Sequence, residues 1–207
     1  MQLYDYFRSS AAYRVRIALN IKQVDYSQIP INLLEDEQHS SRYLAINSQG
    51  LLPTLETEEG SLTQSLAIME WLEDQYPTPM LIPGTPEKQA RIRQLAYSIA
   101  CDIHPLNNLR VLKYLTNKLA LSEQQKIEWI HHWISEGFNA LETLVGVEFC
   151  ISDSPTLADI CLVPQMFNAM RFEVQMENYP KLVNIYNNCN QLEAFKKAKP
   201  ENQADAI

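Results

Sequence analysis

The sequence predicts an α/β unit around a four-stranded mixed sheet, followed by an all-helical unit. Three observations carry this reading. Up to about Tyr76, short aromatic or β-branched runs alternate with apolar helical periodicities. The stretch "YPTPMLIPGTPEK", Tyr76 to Lys88, then holds four prolines and one of only five glycines, the composition of a stiff connection. Beyond it every patterned segment has the period of a helix. With 207 residues the chain is long enough for two small cores. The expected division is residues 1–79, a linker at 80–87, and a helical domain at 88–207.

The elements follow in order. "LYDYF" alternates and is rich in aromatics, so Leu3 to Phe7 reads as the first strand. "AAYRVRIALNIK" carries Val15, Ala18, Leu19 and Ile21 on strong helix formers and reads as the first helix. "VDYSQIPIN" reads as a second strand and "SSRYLAIN" as a short helix. "PTLETEEGSLTQ" reads as two strands joined at Glu58-Glu59-Gly60, the glycine serving the turn. "SLAIMEWLEDQY" places Leu66, Met69, Leu72 and Tyr76 at helical spacing. The order β-α-β-α-β-β-α packs as an α/β sandwich.

In the second half, Thr85-Pro86-Glu87 supplies a cap, a preset first helical position and an acidic first turn. Ile92, Leu95, Ile99 and Ile103 form one apolar stripe; Ile127, Ile130, Ile134, Phe138 and Leu141 form another, opened by the capping box Ser122-x-x-Gln125. Thr156-x-x-Asp159 is a second capping box. Pro105 and Pro164 fall inside helical patterns and should bend them.

Composition excludes several functions. The net charge of −8 argues against nucleic acid, which requires a basic face. No apolar run approaches the roughly 20 residues of a membrane span, and "MQLYDYF" has no targeting pattern, so the expected location is the cytoplasm. Cys101, Cys150, Cys161 and Cys189 are widely spaced without C-x-x-C or paired histidines, which indicates reduced, mostly buried thiols and no metal site. His39, His131 and His132 read as surface residues.

Against that acidity the stretch "FRSSAAYRVRIAL" stands out, with Arg8, Arg14 and Arg16 around Ser9 and Ser10. A helix N-terminus offers free N–H groups and about half a positive charge to an anion, a thiolate included, and hydroxyls there can donate to it. The plainer alternative is that Ser9 or Ser10 only caps the helix. In "LLPTLE", a cis Leu52-Pro53 bond would turn the Leu52 backbone toward a peptide-like ligand; a trans proline at a strand start is the alternative. Gln64-Ser65 opens the third helix, where Ser65 as N-cap would hold a carboxylate or merely cap. Two anion-competent helix starts in one α/β unit describe a ligand with a thiol at one end and a carboxylate at the other, which is the description of glutathione.

"RSSAAYRVRIAL", "LLPTL", "TQSLAIMEWLE", "IHPLNNLRVLKYL", "GFNALE" and "TLADICLVPQMFNAMRF" together resemble zeta-class glutathione transferases, the maleylacetoacetate isomerase family. The resemblance spans Leu3 to about Phe195, and its most specific element is Ser9-Ser10-x-x-x-Arg14-Val15-Arg16. It implies a thioredoxin-like domain followed by a helical domain, a dimer, and glutathione as coenzyme. Ser9 matches the serine that polarises the glutathione sulfur, with Ser10 and Ala11 beside it. Gln38, Leu52, Gln64 and Ser65 match glutathione contacts of the first domain, and His104, Asn108, Leu109 and Arg110 a segment of the helical domain that closes the site. Thr156 and Asp159, shared across the wider superfamily, support the fold. Ala11 and Tyr13 replace the cysteine and tryptophan frequent in the family, which bears on substrate preference more than on the serine chemistry.

The implied reaction is cis-trans isomerisation of maleylacetoacetate, a step of tyrosine and phenylalanine breakdown, through reversible addition of a thiolate to the double bond. The thiol must ionise below its free value of about 8.5. Ser9, the helix dipole and Arg14 favour that. Arg8 and Arg171 are candidates for the carboxylates of a diketo acid substrate, since guanidinium pairs with carboxylate bidentately; solvated salt bridges are the alternative. His104, before Pro105, is a candidate proton shuttle or donor. Maleylpyruvate as substrate, a broad conjugating transferase and a non-catalytic dimerisation module are the rival functions.

Overall fold

The structure, a computed structural model, describes residues 1–206. Its packing divides them into two units: Met1–Leu81 together with the segment from Asn190, and Ile82–Cys189.

In the first unit, β1 (Gln2–Asp5) leads into α1 (Ser10–Ile21) and β2 (Ser27–Pro30), then a 3-10 turn at Glu37–His39 and the short α2 (Ser41–Leu44). The hairpin β3 (Thr54–Thr57) and β4 (Gly60–Thr63) precedes α3 (Ser65–Gln75). The strand order is β2-β1-β3-β4, with β1 parallel to β2 and the other neighbours antiparallel, which is the expected four-stranded mixed sheet. Gly60 pairs with Thr57 at φ 129°, a left-handed region that a side chain would strain.

Helix α1 is buried on nearly every face, and its core includes two arginines, Arg14 and Arg16. A buried guanidinium is tolerable only when its donors are matched. Arg16 Nη1 lies 2.9 and 2.7 Å from the two oxygens of Asp5, its Nη2 donates to the Phe7 carbonyl at 2.9 Å and its Nε to the Ala198 carbonyl at 3.0 Å. At the other end of α1, Lys22 is likewise buried and donates to Glu73 (2.6 Å) and to the carbonyls of Tyr76 (2.5 Å) and Pro79 (2.7 Å). All three ammonium protons are used, two of them on carbonyls at and beyond the end of α3.

The second unit begins with α4 (Pro86–Tyr97), whose cap Thr85 accepts from Lys88 N–H as the sequence indicates. The stripe Ile92, Leu95, Ile99, Ile103 is buried, but it does not run along one bent helix. The chain passes through a π-helical turn (Ser98–Ile103) and a 3-10 turn (His104–Asn107) before α5 (Leu109–Asn117). Pro105 lacks the N–H that a continuing helix would use, so the break replaces the expected bend. Next come α6 (Glu123–Leu144), opened by the reciprocal Ser122–Gln125 box, α7 (Leu157–Arg171), which carries Pro164 within it, and α8 (Pro180–Cys189). At the start of α7 the buried Asp159 carboxylate accepts from Thr156 N–H and hydroxyl and from Cys150 N–H, each at 2.8 Å. Burial nevertheless raises its pKa above the usual carboxylate value.

Gly137 on α6 is where the π turn comes closest: a Cβ there would lie 2.2 Å from Ile103 Cδ1. Cys150, Cys161 and Cys189 are buried and Cys101 is exposed, in keeping with the expected mostly buried thiols, and no disulfide joins them among the described residues. One further expectation needs correction. His131 is half-buried and lies 2.6 Å from the Phe172 carbonyl, whereas His132 is exposed as expected.

The largest departure concerns the chain end. Residues 88–207 were expected in one helical domain, but from Asn190 onward the chain packs on the first unit, with α9 (Glu193–Ala198) against α1. Asn20 donates to the Ala194 carbonyl at 3.0 Å, Arg16 to Ala198, and Gln28 to Gln203 at 2.8 Å. Periodicity identifies such a helix without naming the surface it covers. Among the described residues no helix is long and apolar enough to cross a membrane.

Two stability outcomes follow. Arg16→Met leaves the Asp5 charge buried and unpaired, and denaturant unfolding should show a loss of about 3–5 kcal/mol; an unchanged midpoint would refute the role given to this pair. Gly137→Ala gains up to about 1 kcal/mol of helix propensity but overpacks against Ile103 at a cost of about 1–3 kcal/mol. Net destabilisation is expected, and a rise in stability would contradict the close approach.

Candidate active site

The chain turns over between β1 and α1, where Ser9 N–H donates to the Tyr6 carbonyl at 2.8 Å. Ser9 is extended (φ −68°, ψ 112°) and is the N-cap: its Oγ accepts from Ala12 N–H at 3.2 Å, and its carbonyl accepts from Tyr13 N–H at 2.8 Å. Capping therefore uses a lone pair of Ser9 and leaves its hydroxyl hydrogen free to donate. The Ser10 and Ala11 amides also have no protein partner among the described residues. Ser10 is buried, and the first turn of α1 carries no acid, so the positive end of the helix dipole is unopposed from within.

The second helix start differs from expectation. Ser65 is the first helical residue and Gln64 the N-cap, at φ 69° and ψ 113°, without a side-chain capping bond. The positive φ at Gln64 turns the chain sharply into α3 and leaves the Ser65, Leu66 and Ala67 amides without protein partners among the described residues. Arg14, buried in α1, reaches this point, with Nη1 3.4 Å from Ser65 Oγ. The charge expected to assist the first helix start is thus anchored at the second.

The loop before β3 lies in the same unit. Leu52-Pro53 is cis, the alternative that the sequence left open; Thr78-Pro79 is cis as well. Neither the N–H nor the carbonyl of Leu52 has a protein partner among the described residues. The carbonyl before it, of Leu51, is held by Tyr43 Oη at 2.6 Å and Asn47 Nδ2 at 2.8 Å. Burial raises the Tyr43 pKa, so the phenol keeps the proton it donates. Gln49 Oε1 accepts from Gln64 Nε2 at 3.0 Å, which ties this loop to the start of α3. Gly50, at φ 61°, packs so close that a Cβ would meet His39 Nδ1 at 2.9 Å and the Gln38 carbonyl at 3.1 Å. Gln38 is buried, donates to Asp36 at 3.0 Å, and keeps a buried Oε1 without a protein partner among the described residues.

Ser9, Ser10, Ala11, Arg14, Gln38, Leu52, Pro53, Gln64 and Ser65 therefore all belong to the first unit. Tyr43, Asn47 and Gln49 were not foreseen. The Asn47 turn "NSQG", in which Gln49 N–H donates to Asn47 Oδ1 at 3.0 Å, was the available sign.

Arg8 is exposed; its guanidinium lies 4.8 Å from the Phe7 ring centroid and makes no hydrogen bond or ion pair among the described residues. The helical unit holds the rest. His104 is half-buried at the start of the 3-10 turn, and Asn108 caps α5 by accepting from Arg110 N–H at 3.1 Å, with Leu109 half-buried and Arg110 exposed. Arg171, in the last turn of α7, lies 4.6 Å from the Phe172 ring centroid and donates to Asn168 Oδ1 at 3.0 Å.

The family model for the glutathione S-transferase N-terminal domain matches residues 3–80. A probable maleylacetoacetate isomerase of Vibrio cholerae serotype O1 is 47% identical over 209 residues, covering 99% of this chain and 97% of its own. The structure of a maleylpyruvate isomerase described as a bacterial zeta-class glutathione S-transferase is 42% identical with a TM-score of 0.98, over 100% of both chains. The maleylacetoacetate isomerase of Methylobacterium extorquens AM1, solved with malonate and glutathione bound, is 35% identical with a TM-score of 0.97, again over 100% of both chains. With its sheet, two open helix starts and cis-proline loop, the chain belongs to the zeta-class glutathione transferases, the family of the maleylacetoacetate isomerases.

Proposed function

We propose that this protein is a glutathione-dependent cis-trans isomerase that converts maleylacetoacetate to fumarylacetoacetate. The observation that carries the proposal is the start of α1, where Ser9 caps with its oxygen while its hydroxyl hydrogen and two neighbouring amides stay open. When bound, glutathione would supply a thiolate whose addition turns the double bond into a single bond free to rotate, and whose elimination restores the double bond and returns the thiol.

The first unit has the donors such a tripeptide needs. The Ser9 hydroxyl and the Ser10 and Ala11 amides suit the thiolate and favour its ionised form. The open Leu52 N–H and carbonyl suit an extended backbone, bonded as one strand to another. The Ser65, Leu66 and Ala67 amides, with Arg14 behind Ser65, suit a carboxylate. Gln38, Gln64 and, in the helical unit, His104, Asn108, Leu109 and Arg110 stand as further glutathione contacts on the strength of the family. Arg8 and Arg171 are the proposed holders of substrate carboxylates, and His104 the proposed proton donor. The setting is tyrosine and phenylalanine breakdown in the cytoplasm, with the enzyme as a homodimer.

Maleylpyruvate is the second reading, favoured by the TM-score of 0.98 to an isomerase of that substrate. Disappearance of each substrate, with and without glutathione, decides the matter. Fast isomerisation of maleylacetoacetate that requires glutathione is expected. Faster turnover of maleylpyruvate would transfer the assignment, and loss of neither, with glutathione still bound, would leave a conjugating transferase.

Ser9→Ala should lower kcat about ten- to hundred-fold, the value of one charge-assisted hydrogen bond of about 1.5–3 kcal/mol. Full turnover in Ser9→Ala together with its loss in Ser10→Ala would reverse their roles. Arg8→Gln and Arg171→Gln should raise KM for the diketo acid while binding of glutathione is kept; an unchanged KM in both would remove their assignment.

A further inference from the structure

The loop that carries Ser9 is held from behind by the far end of the chain. Phe7 is buried, and both polar groups of its backbone are engaged: its N–H donates to Asp205 Oδ2 at 3.0 Å, and its carbonyl accepts from Arg16 Nη2 at 2.9 Å. The next polar contact along the chain is that of Ser9 N–H with the Tyr6 carbonyl, so the turn from Tyr6 to Ser9 pivots on this clamped residue. The Phe7 ring also carries the Arg8 guanidinium and packs edge-on against Tyr6.

Asp205 is itself placed by a defined segment. Ala206 N–H closes a turn onto the Gln203 carbonyl at 3.1 Å. Gln203, buried, donates to the carbonyls of Lys197 and Lys199 and accepts from Gln28, which also donates to Asp5, the partner of Arg16. Both clamps on Phe7 thus belong to one network inside the first unit.

We propose that Asp205 is a positioning residue for the catalytic turn: its carboxylate fixes the Phe7 amide and thereby the place of the Ser9 hydroxyl. Without it, a buried N–H loses its acceptor and the turn relaxes to find another. A displacement of the order of 1 Å at Ser9 is enough to cost turnover severely. The catalytic half of this inference rests on the reading of Ser9 given above; the structural half does not.

The test compares Asp205→Ala and Asp205→Asn with the unaltered protein by hydrogen exchange of the Phe7 to Ser10 amides, without ligand, and by kcat and KM for the isomerised substrate. Asp205→Ala should speed exchange of the Phe7 amide about tenfold or more, and lower kcat about tenfold while KM is held. Asp205→Asn, whose side-chain carbonyl still accepts, should restore both. Unchanged exchange in Asp205→Ala overturns the proposal, as does an Asp205→Asn variant that loses as much as the alanine. If the unaltered protein isomerises neither substrate yet exchange responds as described, the positioning role stands and the functional reading falls.

Discussion

The ion pair between Arg16 and Asp5 organises the first unit. It joins the end of β1 to the buried face of α1, and the remaining guanidinium donors reach the Phe7 carbonyl and the Ala198 carbonyl. A buried ion pair is not a strong source of stability in itself, because desolvation offsets much of its attraction. Its value here is geometric: the end of β1, the turn after it and the sequence-distant α9 must meet at one rigid, planar group. The turn bearing Ser9 leaves the sheet at that group, and the last helix returns to it.

This placement also divides the labour among the three arginines of the opening stretch. Arg16 is structural, Arg14 lies behind Ser65 at the second helix start, and Arg8 is left in the open beside Ser9. Arg16 is neutralised by Asp5, so of the three guanidiniums only Arg8 stays unpaired by an acid near the first helix mouth. What remains open at α1 and α3 is backbone N–H and one hydroxyl. Groups fixed by helix geometry need no reorganisation when an anion arrives.

Much of this was legible in the sequence because local patterns dictate local structure. The order of elements along the chain, the Thr85 and Ser122 caps and a serine cap at the first helix start all follow from residue types within a turn or two of one another. Three features were not legible. Gln64 rather than Ser65 is the cap, at a positive φ that local propensity does not record for a glutamine. The bend expected at Pro105 is instead a π turn and a 3-10 turn, with Ile103 packed where Gly137 leaves room on α6, a contact between elements that local patterns do not record. The return of the chain from Asn190 to the first unit depends on Arg16 and Asn20 finding carbonyls in α9, a tertiary match beyond periodicity.

The proposed preference of the first helix start for a thiolate can be measured without following any isomerisation. Ultraviolet absorbance of the glutathione thiolate, recorded on the bound complex across a pH series, gives the midpoint of its ionisation directly. A midpoint more than one unit below the free value of about 8.5, shifted back upward in Ser9→Ala, is the predicted result. A bound thiol that ionises at its free value, or a midpoint that Ser9→Ala leaves in place, would contradict it.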